Sequence, residues 1–179
     1  MSLNLPNLLA FCRILLAPAM FYILVNANTH FESVHISWIN YFAGLIFVIA
    51  SVTDFFDGYI ARKWDQKTKL GAIIDPLADK MLTLAAFLGL MMMDRANPWA
   101  IYLILIREFF ITGFRVVIAS EGLNLAASMA GKVKTVFQMI AIGFLIMQWP
   151  FADALLWLAV ALTLYSGFEY IFAYVRYAR

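Results

Sequence analysis

Apolar residues in this chain gather into six long blocks separated by short polar breaks: Leu8 to Asn26, Trp38 to Ile60, Leu70 to Met93, Pro98 to Ser120, Val133 to Trp149 and Ala154 to Tyr174. Inside a block such as Leu82 to Met93 the apolar positions run on almost without interruption, so there is no polar face to turn towards water. A helix rising about 1.5 Å per residue needs roughly 20 residues to cross the hydrocarbon of a bilayer, which is close to the length of each block. The pattern predicts an all-α integral membrane bundle of six transmembrane helices. The leading stretch Ser2 to Leu9 sets Asn4, Pro6 and Asn7 among leucines, which predicts a short interfacial helix before the first span. The breaks are short and hold no low-complexity linker, so residues 1–179 are expected to form a single domain.

Composition removes the soluble alternative. Of 179 residues, 64% are hydrophobic and 13% charged, against about half and about a quarter in an ordinary soluble domain. The net charge of +2 is too small, and the basic residues too embedded among apolar ones, to suggest a nucleic-acid partner. A single cysteine, Cys12, excludes an internal disulfide. The first block lacks a basic leader and contains Arg13, so it is expected to be a retained helix and not a cleaved signal.

Charge also orients the bundle. Lys and Arg collect in the second connection (Arg62, Lys63, Lys67, Lys69), in the fourth (Lys132, Lys134) and at the C-terminus (Arg176, Arg179), whereas the odd connections hold only Arg95. The positive-inside tendency places the even connections and both termini in the cytoplasm. Trp38, Trp99 and Trp149 fall at the opposite helix ends, as an interfacial aromatic belt requires.

Against this apolar background, Asp54, Asp57, Asp75 and Asp79 are out of place. Steps of three and four residues put Asp54, Asp57, Gly58 and Ala61 on one helix face, and Gly71, Asp75 and Asp79 on one face of the next. A short connection makes the two helices antiparallel, which can bring both faces together below the cytoplasmic surface. Four carboxylates at close quarters are costly unless cations neutralise them. Oxygen-only donors point to magnesium or manganese, since His30 and His35 belong to the other side of the membrane and no cysteine is near. The competing reading pairs Asp54 and Asp57 with Arg62, and Asp75 and Asp79 with Lys80 or a loop lysine, as structural bridges. Gly58 and Gly71 leave room for a bulky ligand, although small residues also serve helix packing. Arg62 can fork onto a phosphate, which suits a diphosphate substrate.

Asp54-Phe-Phe-Asp57-Gly58-Tyr-Ile-Ala61-Arg62, eight further residues, then Gly71-Ala-Ile-Ile-Asp75-Pro-Leu-Ala-Asp79 resembles the complete signature of the CDP-alcohol phosphatidyltransferases. The resemblance implies a six-helix membrane fold, generally dimeric, with its site open to the cytoplasm of a bacterium. It implies that Asp54, Asp57, Asp75 and Asp79 bind two divalent cations, that Asn7, Gly58, Ala61, Arg62, Thr68 and Gly71 lie against the CDP-lipid, and that Asp79 is the general base.

The motif does not name the acceptor alcohol. Arg107 and Arg115 on the fourth span, and Lys132 and Lys134 at the start of the fifth, can converge on an anion, so a phosphate-bearing acceptor is expected. Arg107 can instead pair with Glu108, and the two lysines can instead meet anionic lipid heads. Together with the run Asn4 to Arg13 and Asp79-Lys80, these pieces are similar to the bacterial members of the family that join CDP-diacylglycerol to sn-glycerol 3-phosphate. Inositol phosphate, serine or phosphatidylglycerol as acceptor is the alternative. A divalent-metal transporter is a remote one, disfavoured because no inverted repeat is visible.

Overall fold

A computed structural model describes residues 5–63, 71–120 and 129–177. Among them the chain is all-α, with six helices: α1 (Leu5–Val25), α2 (Ile36–Lys63), α3 (Gly71–Met92), α4 (Pro98–Ser120), α5 (Met129–Met147) and α6 (Ala152–Tyr177). In α1, α2, α5 and α6, the stretches Asn7–Val25, Ile36–Thr53, Met129–Met147 and Ala152–Arg176 are long and apolar enough to cross a membrane, so the chain is a multi-pass membrane protein. The other two helices, of 22 and 23 residues, are as long. They are set apart by charge: Asp75, Asp79 and Lys80 on α3, and Arg107, Glu108 and Arg115 on α4.

The N-terminus differs from expectation. No separate interfacial helix precedes the first span among the described residues, because α1 runs unbroken from Leu5 through Leu9. Pro6 lies in the first turn, where its missing N–H would have had no intrahelical partner and its fixed φ suits a helix start.

The chain divides into two compact units, Met1–Arg95 and Ala96–Arg179. In the first, α1 packs on both α2 and α3, and α2 also touches α3. Asn7, Ala10, Arg13, Ala17, Met20, Leu24 and Ala27 are all buried. Their spacings are all three or four, close to the period of a coiled-coil seam, so α1 and the residue just past it offer one narrow stripe to their neighbours. Large apolar residues on its outer side, such as Leu15 at 72% exposure, are left uncovered by this unit.

Two contacts fix the directions. Arg95, just past the end of α3, donates from Nη1 to Asn40 Oδ1 near the start of α2 at 2.7 Å, so these helices are antiparallel. Leu24, near the end of α1, lies against Gly89, near the end of α3: a Cβ built on Gly89 would come within 2.9 Å of Leu24 Cδ1. Helices α1 and α3 are therefore parallel. The α3 terminus is closed by Asp94 at φ 55°, with Arg95 N–H donating to Leu90 O at 2.9 Å, the six-to-one bond of a Schellman cap.

In the second unit α6 packs on both α4 and α5. Arg107 of α4 meets Ser166 and Gly167 of α6, and Phe114 meets Tyr170 and Tyr174, so seven residues along one helix match about seven along the other and the two run parallel. A tight turn with Gln148 at φ 54° and Phe151 at φ 66° reverses α5 into α6. Trp99 and Trp149 consequently share one end of this unit, both more than half exposed.

Candidate functional site

The four aspartates of the signature lie at similar depths along α2 and α3. Counting equal rises from the Arg95–Asn40 contact, Asp54 lies fourteen residues into α2, about 21 Å along the axis. The same descent along α3 reaches the neighbourhood of Asp79. Asp57 then falls level with Ala78, between Asp75 and Asp79. The backbone places all four positions within about a turn of one level. Asp54, Asp57, Gly58, Ala61 and Arg62 are helical in α2, but their side chains lie outside the described residues, as does Thr68 altogether.

Asp75 and Asp79 lie about one and two turns into α3, past its first turn, and one turn apart on the same face. Both are half-buried, and Oδ1 of Asp75 is shut off from solvent. Thr83 Oγ1 donates to the Asp79 carbonyl at 2.7 Å, which satisfies the hydroxyl within the helix. Gly71 is buried at the head of α3. Asn7, 1% exposed, precedes Leu24 by seventeen residues, which puts it at the level of Ala72, beside Gly71. The proposed CDP-lipid contacts Asn7 and Gly71 thus lie close to one layer. His30 and His35 belong to the turn between α1 and α2, at the end of this unit remote from Asp75, which leaves the donor set all-oxygen. Such a set fits a hard divalent cation.

The basic residues belong to the second unit, and the structure treats them unequally. Glu108 Oε1 accepts from Arg107 Nη1 at 3.2 Å and also from Lys134 Nζ. The side chains of Arg107 and Lys134 are only 10% and 9% exposed. Arg107 Nη2 donates to Ser166 Oγ at 2.8 Å, Ser166 Oγ donates to the Thr163 carbonyl at 3.0 Å, and Gln138 Nε2 donates to Thr163 Oγ1 at 2.8 Å. One polar network therefore ties α4, α5 and α6 inside an apolar shell. Gly167 makes room for it, since a Cβ there would stand 3.2 Å from Arg107 Nε. Arg115 is exposed, its guanidinium 5.1 Å from the centre of the Tyr170 ring, and Lys132 is exposed at the start of α5. So Arg107 and Lys134 are brought together through Glu108, while Arg115 and Lys132 stand outside that network.

Two residues to which the sequence assigned no site role emerge here. Glu108 also holds Lys134, 26 positions further along the sequence, and spacing could not reveal that pairing. Arg13 is wholly buried on the α1 seam. The signal for it was present, as the one charge in an otherwise apolar block.

These features define a multi-pass membrane protein that carries acidic positions at similar depths on two neighbouring helices. The profile of the CDP-alcohol phosphatidyltransferase family matches residues 3–165, and the chain belongs to that family. It is 41% identical to the CDP-diacylglycerol–glycerol-3-phosphate 3-phosphatidyltransferase of Bacillus subtilis, over 93% of both chains. The protein of the same name from Escherichia coli is 36% identical over 97% of this chain and 96% of its own. That from Rickettsia felis is 35% identical over 97% of each. Members of the family are generally metal-dependent transferases.

Proposed function

We propose that this protein transfers the phosphatidyl group of CDP-diacylglycerol to sn-glycerol 3-phosphate, releasing CMP and forming phosphatidylglycerol phosphate. The observation that carries the reading is that relatives matching nearly the whole chain share one name. The complete aspartate signature, its four positions at one depth, supports it. Residues 1–179 act as one catalytic domain, since the family profile extends across both units.

Asp54, Asp57, Asp75 and Asp79 are the residues that would hold two divalent cations, Mg2+ or Mn2+. Bound there, the ions would neutralise phosphate charge on the substrate and on the departing CMP. The protein's own groups do the rest. Asn7, Gly58, Ala61, Arg62, Thr68 and Gly71 receive the CDP-lipid. Asp79 accepts the proton of the acceptor hydroxyl as its oxygen bonds to the β-phosphorus and the bond from that phosphorus to CMP breaks. No covalent enzyme intermediate is required.

Arg107, Arg115, Lys132 and Lys134 receive the acceptor's phosphate. Glu108 neutralises one of the two cations it binds, so the Arg107–Glu108–Lys134 cluster keeps a net charge of +1, which favours an anionic acceptor over serine. The site and both termini face the cytoplasm in the inner membrane of a bacterium, and the protein works as a homodimer among membrane lipids.

The test is CMP release by purified protein given CDP-diacylglycerol and, in turn, glycerol 3-phosphate, inositol phosphate, serine and phosphatidylglycerol, with Mg2+ or Mn2+. Turnover should appear with glycerol 3-phosphate. Preference for another acceptor overturns the narrower assignment, and metal uptake into liposomes without turnover overturns the whole reading.

A further inference from the structure

We propose that Arg13 is the resident counter-cation of the aspartates on α2 and α3, a positioning residue that shares those carboxylates with the metal ions and lowers their affinity for them. The inference rests on the metal-binding reading given above.

Three observations lead to it. Arg13 is 0% exposed and is the largest fully buried side chain among the described residues, although it sits in a span apolar enough to cross a membrane. A guanidinium stays protonated in proteins, so this is a permanent charge in a low-dielectric place, and such a charge persists only with an anionic or hydrogen-bonding partner. Its depth follows from the parallel pairing of α1 and α3. Arg13 lies eleven residues before Leu24, and Ala78 lies eleven before Gly89, the residue that Leu24 touches. Arg13 is thereby level with Ala78, which itself is 0% exposed and stands between Asp75 and Asp79.

The remaining acidic residues of this unit narrow the choice. Glu32 and Asp94 lie at the other end, beside the α1 terminus and the α3 cap. Asp65 falls in the connection outside the described residues. The carboxylates at the depth of Arg13 are those of the family signature. A fixed positive charge among them does two things. It relieves their mutual repulsion when no metal is bound, which lets α1, α2 and α3 close into a seam. It also opposes every dication that enters, so that the carboxylates alone hold metal weakly and the anionic diphosphate of the substrate completes the site.

The sign of the second effect makes the proposal testable without turnover. Mn2+ binding to the full-length protein in detergent, without lipid substrate, is measured by electron paramagnetic resonance of the free ion, for wild type, Arg13→Gln, Arg13→Lys and Asp79→Asn. Removing the charge should tighten Mn2+ binding about tenfold or more, because a unit charge a few ångströms from a dication repels it strongly at protein dielectric. Arg13→Lys should restore the wild-type affinity. An Arg13→Gln protein of normal helix content that binds Mn2+ equally or more weakly overturns the proposal, since a merely structural arginine would loosen the site when lost. If Arg13→Gln assembles only when magnesium is supplied during purification, the result supports it, because one cation then replaces another. Failure to assemble with and without magnesium overturns it. Asp79→Asn separates the two readings. If that variant binds Mn2+ like wild type, the metal site itself is misassigned; if it loses Mn2+ while Arg13→Gln fails to gain affinity, only the role of Arg13 falls.

Discussion

Glu108→Gln is the most informative perturbation of the second unit. The amide keeps the shape of the side chain and removes the charge that joins Arg107 to Lys134. At 3.2 Å and an effective dielectric of about 20, the attraction between Glu108 and Arg107 is about 5 kcal/mol before any desolvation cost is subtracted. Both cations are nine-tenths buried, so the variant leaves two like charges in an apolar setting. Removal of one partner of a buried pair costs about 3–5 kcal/mol. Because Glu108 retains 23% exposure, the lower end, about 3 kcal/mol, is expected. Lys134→Gln added to Glu108→Gln should recover most of that loss, leaving about 1 kcal/mol, because one of the two like charges is gone and amides can hydrogen-bond each other. Reversible unfolding in mixed micelles, followed by far-ultraviolet circular dichroism, completes the cycle with the Lys134→Gln single variant. The reasoning fails if Glu108→Gln costs under about 0.5 kcal/mol or if the double variant is less stable than the single.

Two further outcomes follow from the first unit. Asp79→Asn should keep its helix content while turnover with glycerol 3-phosphate drops about 10²–10⁴-fold; a variant retaining half of wild-type turnover would remove Asp79 from the proton transfer. Gly89→Ala should lower stability by about 1–3 kcal/mol, because its Cβ would meet Leu24 Cδ1 at 2.9 Å and Leu24 Cβ at 3.1 Å on the close approach of α1 to α3. Adding Leu24→Ala should relieve that overpacking, and thermal unfolding of the pair in detergent checks it.

Element type was legible from block length and apolarity, and boundaries were legible where capping chemistry is local. Helix α4 begins and ends where the sequence places it, because Asn97 Oδ1 accepts from the Trp99 N–H at 2.9 Å and Pro98 takes the first helical position. Helix α5 begins at Met129 and not Val133, since Ala130, Gly131 and Lys132 look like a polar connection yet continue the helix. The C-terminus of α2 overran for the same reason, carrying its charged motif on to Lys63. In the site, the aspartates stood out because carboxylates are rare in lipid. Their common depth needed the tertiary contacts of Asn40 and Gly89. Asn7 and Arg13 break the apolar period of α1 at the seam they help to form, so periodicity alone pointed away from them.

The charges on α3 and α4 also bear on how the chain is made. A charged residue at the middle of a span costs about 2.5–3.5 kcal/mol when a single helix partitions into lipid, and each of these helices carries three. For α3 the partners that bury it, α1 and α2, leave the ribosome first, so shelter is waiting as it emerges. For α4 the packing partner is α6, synthesised two helices later. A nascent chain cut short before Ala152 would therefore leave Arg107 without Ser166 and Arg115 without Tyr170.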